Sequence, residues 1–246
     1  MIAVLMSGGL DSLVTLAMAI RCHGNAVTSI RVNIPSVAAK EERRFLKKQL
    51  RFYGIKKNLE VSLGVDGALA KHPMFLKSLP IVPSSRSEWF ERIAYRFPEL
   101  GKRDREELYV VPMRNLALLS ATIPTLLEED VDELWIGFDW TADAPLLDKS
   151  PKFVSMFQRM IDEIWGKTMV IVTPLMRKSK EDIIKKAIEL NVPMELAYSC
   201  YSGTTKACGH CNACFERSEA FDMLDLKDPF PYHSAQEIHD LVTSSY

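Results

Sequence analysis

Two groups of residues in this chain have the types and the spacing to do chemistry. The first is Ser7-Gly8-Gly9-Leu10-Asp11-Ser12, directly after the apolar run of residues 1–6. Two adjacent glycines let the backbone turn tightly and approach an anion closely, and a helix starting at Leu10 aims its free N–H groups at the same point. Ser7 and Ser12 add hydroxyl donors. The pattern is a phosphate cradle of strand, loop and helix. It differs from the G-x-x-x-x-G-K-S/T loop of mononucleotide kinases, because no lysine follows and the spacing is different.

The second group is Cys200, Cys208, Cys211 and Cys214, spaced C-x7-C-x2-C-x2-C with Gly203 and Gly209 between them. Four thiolates complete a tetrahedral Zn2+ shell, and a closed shell is structural because it leaves no position for water. An iron–sulfur cluster is the competing occupant. His210 lies inside the cluster and is expected to be a bystander, since four thiols are available. Cys22, on the inner part of the first helix, is expected to be a small core residue.

These groups need elements to hold them. Leu10, Leu13, Val14, Ala17 and Ile20 recur at helical spacing, Gly24-Asn25 is a stop signal, and Val27-Thr-Ser-Ile-Arg-Val32 reads as the next strand. A charged helix over 38–53, ended by Gly54, leads to a strand over 59–63. Residues 72–107 contain Pro73, Pro80, Pro83 and Pro98 and are too long for a plain connection, which predicts an insertion. Strands are expected over 108–111, 134–138 and 170–174. Helices are expected from Leu116, over 153–164 with Phe153, Met156, Phe157, Met160, Ile161 and Ile164 on one stripe, and over 181–190 with Ile183, Ile184, Ala187 and Ile188 inward. Such alternation implies a parallel α/β sheet with helices on both faces and ligands at the carboxyl ends of its strands.

Size and composition agree with one large domain and an appendage. The chain has 246 residues, 47% of them apolar and 26% charged, and its formal net charge is −1. No global basic field advertises nucleic acid; the basic stretch over 40–57 reads as the solvated face of a helix. No apolar run reaches the roughly 20 residues of a membrane helix, and the leading apolar stretch runs into the loop without a basic region before it. The expected location is the cytoplasm, where clustered cysteines are metal ligands rather than disulfides.

The loop resembles the S-G-G-x-D-S loop of the ATP-pyrophosphatases. With the other segments, the chain resembles the 7-cyano-7-deazaguanine synthases of that superfamily. Val111-Pro-Met-Arg-Asn115 is similar to their V-P-x-R-N segment. Thr173-Pro-Leu175 followed by Lys178-Ser-Lys-Glu-Asp-Ile183 is similar to their P-L and K-x-E-I segment. Tyr198-Ser-Cys-Tyr201, Cys208-Gly-His-Cys-Asn-Ala-Cys214, Arg217 and Phe221 resemble their S-C-Y…C-G-x-C-x-x-C…R…F signature. The likeness runs from Met1 to about Phe221, outside the insertion.

The resemblance implies a Rossmann-like domain of the adenine nucleotide alpha-hydrolase type over 1–195, with the insertion at about 72–107, and a zinc-binding lobe and tail over 196–246. It implies an ATP-dependent C–N ligase that adenylates 7-carboxy-7-deazaguanine, forms the amide with ammonia and dehydrates it to the nitrile. Ser7, Gly8, Gly9, Leu10, Asp11 and Ser12 would hold ATP together with Arg114 and Asn115. Asp11 would fix the loop or help place Mg2+, and Lys180 or Arg114 would stabilise charge on the α-phosphate.

The acceptor half departs from the family. Val32-Asn-Ile-Pro-Ser36 replaces an aromatic-Gly-Gln stretch, and Gly137-Phe-Asp-Trp-Thr-Ala-Asp-Ala-Pro-Leu-Leu-Asp148, then Lys149-Ser-Pro151, replaces a G-x-N-x-x-D-Y-S-G-Y-P-D-C-R-P segment. Asp143 or Asp148 is the expected partner for a guanine-like edge. These changes leave room for a paralogue, of the anti-phage defence kind, that joins an activated deazapurine to another amine such as a protein terminus. An ATP-dependent tRNA-modifying enzyme and a catalytically silent zinc module are the other readings. The tail from Asp228-Pro-Phe-Pro-Tyr232 onward is expected to pack on a neighbouring subunit, in a homodimer.

Overall fold

The computed structural model of the protein describes residues 1–24, 26–65, 91, 111, 113–141, 146–166 and 169–243. Among them, one sheet is built from β1 (Ile2–Leu5), β2 (Val27–Asn33), β3 (Asn58–Ser62), β4 (Glu133–Trp135) and β5 (Val170–Val172). Its order is β3-β2-β1-β4-β5, and every neighbouring pair is parallel. Connections therefore run one way from β1 and the other way from β4. A crevice is left beyond the carboxyl ends of these two central strands, where ligands bind in open α/β sheets.

The helices are α1 (Leu10–His23), α2 (Ala39–Phe52), α3 (Arg114–Glu128), α4 (Pro151–Trp165), α5 (Lys180–Glu189), α6 (Asn212–Asp222) and α7 (Ala235–Thr243). Strand residues alternate between faces, so Ile2 and Val4 meet Leu16 and Ala19 of α1 and Leu46 and Leu50 of α2. Ala3, Ile30 and Leu134 point the other way and meet Leu119 and Leu126 of α3 and Phe157 and Ile161 of α4. The sheet is thus covered on both faces, as its strand pattern predicts. A third cluster joins Leu13 and Val14 of α1 to Ile183, Ile184 and Ala187 of α5 and to Phe221 of α6. Lying against both sheet and helices, α1 is apolar around most of its circumference.

Several expectations are corrected. Cys22 is exposed, because it falls in the outward last turn of α1 with Arg21. Ile188 is 47% exposed, since α5 is buried only along the arc of Ile183, Ile184 and Ala187. The stripe on α4 splits: Phe157 and Ile161 are buried, whereas Met156, Met160 and Ile164 face solvent. This helix covers β5, which lies at the edge of the sheet. The strand expected over 134–138 is shorter, and the residues after Trp135 enter the crevice. Of 108–111, only Val111 is described; the expected insertion over 72–107 lies outside the described residues except for residue 91.

The tail packs on its own chain. Phe230 and Ile238 are buried with Phe45, Tyr198 and the four cysteines, and Ala207 pairs with Tyr232 in an isolated parallel bridge. Apolar groups offered by the lobe cover Phe230 and Ile238 of the tail.

Candidate functional site

The Ser-Gly-Gly-Leu-Asp-Ser loop lies at the crevice end of β1. Gly8 has φ +95°, and a Cβ there would stand 2.5 Å from the Glu42 carbonyl oxygen, so both conformation and space require glycine. The loop is held from behind. Gly8 O accepts from Tyr198 N at 2.9 Å and from Gln49 Nε2 at 2.8 Å, and the same Gln49 nitrogen reaches Leu196 O at 2.8 Å. Ser7 O accepts from Arg31 Nη1 at 2.7 Å; Arg31 is itself paired with Glu42 at 3.2 Å. Burial raises the Glu42 pKa, with Arg31 and Arg114 partly offsetting it.

With those carbonyls tied down, donors gather in front. The Ser7 and Ser12 hydroxyls lie 3.1 Å apart and accept from the Gly9 and Ser7 amides at 3.1 and 3.3 Å. The first amide of α1 bonded within the helix is Leu13 N, to Gly9 O at 3.1 Å. Among the described residues the N–H groups of Leu10, Asp11 and Ser12 precede that bond, and first-turn donors of this kind can take an anion. Leu10's side chain is buried and anchors the helix.

Three crossings bring charge to this loop. A Cβ at Gly137 would stand 2.9 Å from the Asp11 carbonyl carbon and oxygen, so the chain after β4 closes directly onto α1 and delivers Asp139 beside Asp11. Ser179 caps α5: its Oγ accepts from Asp182 N at 3.2 Å, and Asp182 returns the contact to Ser179 N at 3.3 Å. This fixes Lys180 at the start of α5, where its Nζ donates to Asp11 Oδ1 at 2.7 Å and to Asp139 Oδ2 at 2.9 Å. Lys149 Nζ takes the other oxygen of Asp139 at 2.6 Å. The result is an alternating row, Asp11–Lys180–Asp139–Lys149, across the switch point.

Burial opposes charge at Lys180, Asp139 and Asp11. For Lys180 the carboxylates of Asp11 and Asp139 outweigh it and raise the pKa. For Asp139 the two lysines outweigh it and lower the pKa. For Asp11 burial prevails over Lys180, and its pKa is raised.

Arg114 begins α3 after a sharp turn in which Met113 is left-handed, at φ 57°. Its guanidinium makes no ion pair among the described residues, while its field reaches Glu42 and Tyr201. Asn115 is buried and held by Asp148, whose carboxylate accepts from Asn115 N at 2.8 Å and Nδ2 at 3.2 Å. Asp148 therefore satisfies an orphan amide at the N-terminus of α3. Asp143 lies outside the described residues.

Cys200, Cys208, Cys211 and Cys214 are all buried, and their Sγ atoms lie within 4.8 Å of one another. Backbone amides already point at the sulfurs: Ser202 N and Cys208 N donate to Cys200 Sγ at 3.4 and 3.3 Å, and Cys211 N to Cys208 Sγ at 3.3 Å. Such donors stabilise thiolates, and four buried sulfurs fit a closed metal shell. His210 is outside the group.

The lobe is seated firmly. A Cβ at Gly203 would stand 2.4 Å from Val37 O, and Tyr198 stacks on Phe45 with ring centroids 5.4 Å apart. Arg217, 4% exposed, donates to both oxygens of Asp228 at 2.7 and 2.8 Å and to Ala197 O and Met194 O at 2.6 and 3.0 Å. Asp139, Lys149, Gln49 and Arg31 escaped the sequence reading. One signal was available: Arg31 is the one charged residue of β2, and a charge in a strand of the sheet must be paired.

Fold and site together define a doubly wound α/β protein with a Gly-Gly loop and helix N-terminus at the switch point, and, braced against it, a lobe whose four cysteines could hold a metal. The chain belongs to the family described as Queuosine biosynthesis protein QueC, whose pattern matches residues 1–225. It is similar to the 7-cyano-7-deazaguanine synthase of Chlorobaculum parvum, at 30% identity over 93% of this chain and 95% of the relative. That of Methanosphaerula palustris is 29% identical, over 93% of this chain and 97% of the relative. Among solved structures, the U34-tRNA thiolase NcsA of Methanococcus maripaludis is similar at a TM-score of 0.41 and 16% identity, over 99% of this chain and 70% of that one, too slight a likeness to argue from. No helix among the described residues is long and apolar enough to cross a membrane.

Proposed function

We propose that this chain is an ATP-dependent C–N bond-forming enzyme that converts 7-carboxy-7-deazaguanine and ammonia, through the amide, to 7-cyano-7-deazaguanine. The observation that carries the reading is the bridge from Lys180 to Asp11 and Asp139 beside the anion-binding loop, in a member of this family.

A carboxylate is a poor electrophile and needs a leaving group. The loop amides and the Ser7 and Ser12 hydroxyls would take the β- and γ-phosphates, with Lys180 as the cation for the α-phosphate. One carboxylate oxygen of the substrate attacks that phosphorus and pyrophosphate departs. Lys180 and Arg114 face the charge that builds on the α-phosphate oxygens, where fixed cations act most strongly. Ammonia then attacks the acyl carbon, AMP leaves with the former carboxylate oxygen, and the surplus proton goes to solvent. The amide oxygen then attacks the α-phosphorus of a second ATP, and pyrophosphate departs again. Loss of AMP and of the two remaining N–H protons gives the nitrile.

Asp11 is the residue we assign to the Mg2+ that accompanies ATP, an ion that prefers oxygen ligands shared with phosphates. Cys200, Cys208, Cys211 and Cys214 would hold Zn2+ as a structural ion; its role is to keep Tyr198 against Gly8. Asn115 and Asp148 shape the nucleotide side through α3, and Asp143 is our candidate for the guanine-like edge.

A second reading keeps the ATP chemistry and changes the amine to a larger one, such as a protein terminus. The departures between Asp139 and Pro151 favour it. Incubation with ATP, 7-carboxy-7-deazaguanine and ammonium, followed by mass spectrometry, tests the first reading: amide and nitrile are expected. Absence of both refutes it, and product formed only with an added protein amine establishes the second.

A further inference from the structure

Asp139 serves two lysines at once. Its Oδ2 accepts from Lys180 at 2.9 Å and its Oδ1 from Lys149 at 2.6 Å, while Lys180 keeps its other bond, to Asp11, at 2.7 Å. All four side chains are at most one-third exposed, so their charges act at short range with little screening. We propose that Asp139 is a positioning residue for Lys180, that Lys149 fixes Asp139 in that role, and that the chain after β4 thereby builds part of the site that activates ATP.

The chemistry of the two ends makes a carboxylate necessary. An asparagine in place of Asp139 keeps one acceptor oxygen and sets an NH2 donor where the other oxygen stood, so one of the two lysines, which bond to Oδ1 and Oδ2 separately, would face a donor. Charge gives the same requirement. Around Lys180, Asp11 and Asp139 bring two negative charges and Lys149 one positive; Glu216 and Tyr201 also face it and are common to every variant considered. D139N removes one negative charge and leaves Lys149 in place. Removing Lys149 as well restores both the balance and the geometry, since the asparagine oxygen then has only Lys180 to serve.

The inference rests on the function proposed above and has a test that can fail separately. ATP–pyrophosphate exchange, driven by 7-carboxy-7-deazaguanine, is compared in the full chain, D139N, K149M and D139N/K149M. We expect D139N to lower kcat about tenfold or more with KM for ATP within about threefold, the pattern of a lost transition-state interaction. The double variant recovers to within about threefold of the native rate. K149M alone also lowers kcat, because Asp139 then turns both oxygens to Lys180.

The second readout needs no turnover. Lys180 is acylated with an N-hydroxysuccinimide ester at pH 8.5 and located by peptide mass spectrometry. It should be protected in the native chain, several-fold more reactive in D139N and protected again in D139N/K149M. A D139N enzyme with native kcat and native Lys180 reactivity overturns the proposal. So does a folded double variant no better than D139N in both measurements. Loss of exchange in the native chain would refute the function and leave the reactivity pattern to decide the positioning role.

Discussion

Lys180 Nζ lies 2.7 Å from Asp11 Oδ1, joining residues 169 positions apart across the crevice of the sheet. Both belong to helix beginnings, Lys180 as the first residue of α5 and Asp11 in the first turn of α1. Two helix N-termini thus converge on one point, and each favours negative charge there. In the reaction proposed above the ligand at this point is the triphosphate of ATP, and the lysine is charged before it arrives.

Replacing Lys180 by methionine should lower kcat for carboxylate-dependent ATP–pyrophosphate exchange about 10²- to 10³-fold, the usual effect of losing one preorganised charge at the transition state. KM for ATP should change far less, because the loop carries most of the binding. Steady-state kinetics on K180M, with K180R as a partial rescue, check this.

Gly8→Ala should abolish measurable ATP binding by calorimetry. The added Cβ would stand 2.5 Å from Glu42 O at a φ of +95°, so the loop must leave its place against α2. Global stability should fall by only about 1–3 kcal/mol, the range for local backbone strain. A variant that binds ATP normally would remove the loop from the account.

Exchange activity should stay flat on the alkaline side to about pH 10. Burial works against the Lys180 charge, but Asp11 and Asp139 outweigh it and lift the pKa above its ordinary 10.5, so the ammonium persists. The acid limb belongs to Asp11, whose pKa is raised above its ordinary 3.8, mainly by burial. Asp139 goes the other way: its folded pKa is depressed, so the stability it adds is present above its unfolded value of about 3.9 and is lost as pH falls below it. A pH–rate profile tests the first two statements and acid unfolding the third.

Purified protein should contain about one zinc per chain, with cysteines as the only protein ligands. Cys211→Ser should release the metal and also weaken ATP binding, because the lobe's Tyr198 N holds Gly8 O at 2.9 Å. Metal analysis and calorimetry on the same sample separate this from a lobe that merely folds alongside.

Arg217→Met should cost about 3 kcal/mol, since it leaves the buried Asp228 carboxylate without its cation, held by Phe230 N and the Tyr232 hydroxyl alone, and takes a donor from the Ala197 and Met194 carbonyls. At this chain length that lowers Tm by roughly 10 °C. Urea unfolding with an unchanged slope would assign the loss to the folded state.

Much of this was legible in the sequence, for reasons that differ by residue. The strand–Gly–Gly–helix order announced the loop because few residues can take φ +95°, and the cysteine spacing announced the lobe because thiolates so close together repel unless a metal joins them. The doubly wound sheet followed from alternating periods. Asp139 and Lys149 were not legible. Their meaning comes from pairing with Lys180 across the switch point, and no local period encodes that. The exposed half of the α4 stripe was hidden for a similar reason: periodicity gives an apolar face but not whether a neighbour covers it. The burial of Phe230 in its own lobe likewise depends on the chain folding back over the cysteines.

In the reaction proposed, the substrate carboxylate attacks the α-phosphorus of ATP beside Lys180. 7-Carboxy-7-deazaguanine labelled with oxygen-18 in both carboxylate positions, turned over with ATP and ammonium, tests it most directly. The label should leave in AMP, one atom with each of two AMP molecules per nitrile. Label in inorganic phosphate accompanied by ADP, or AMP without label, would contradict it.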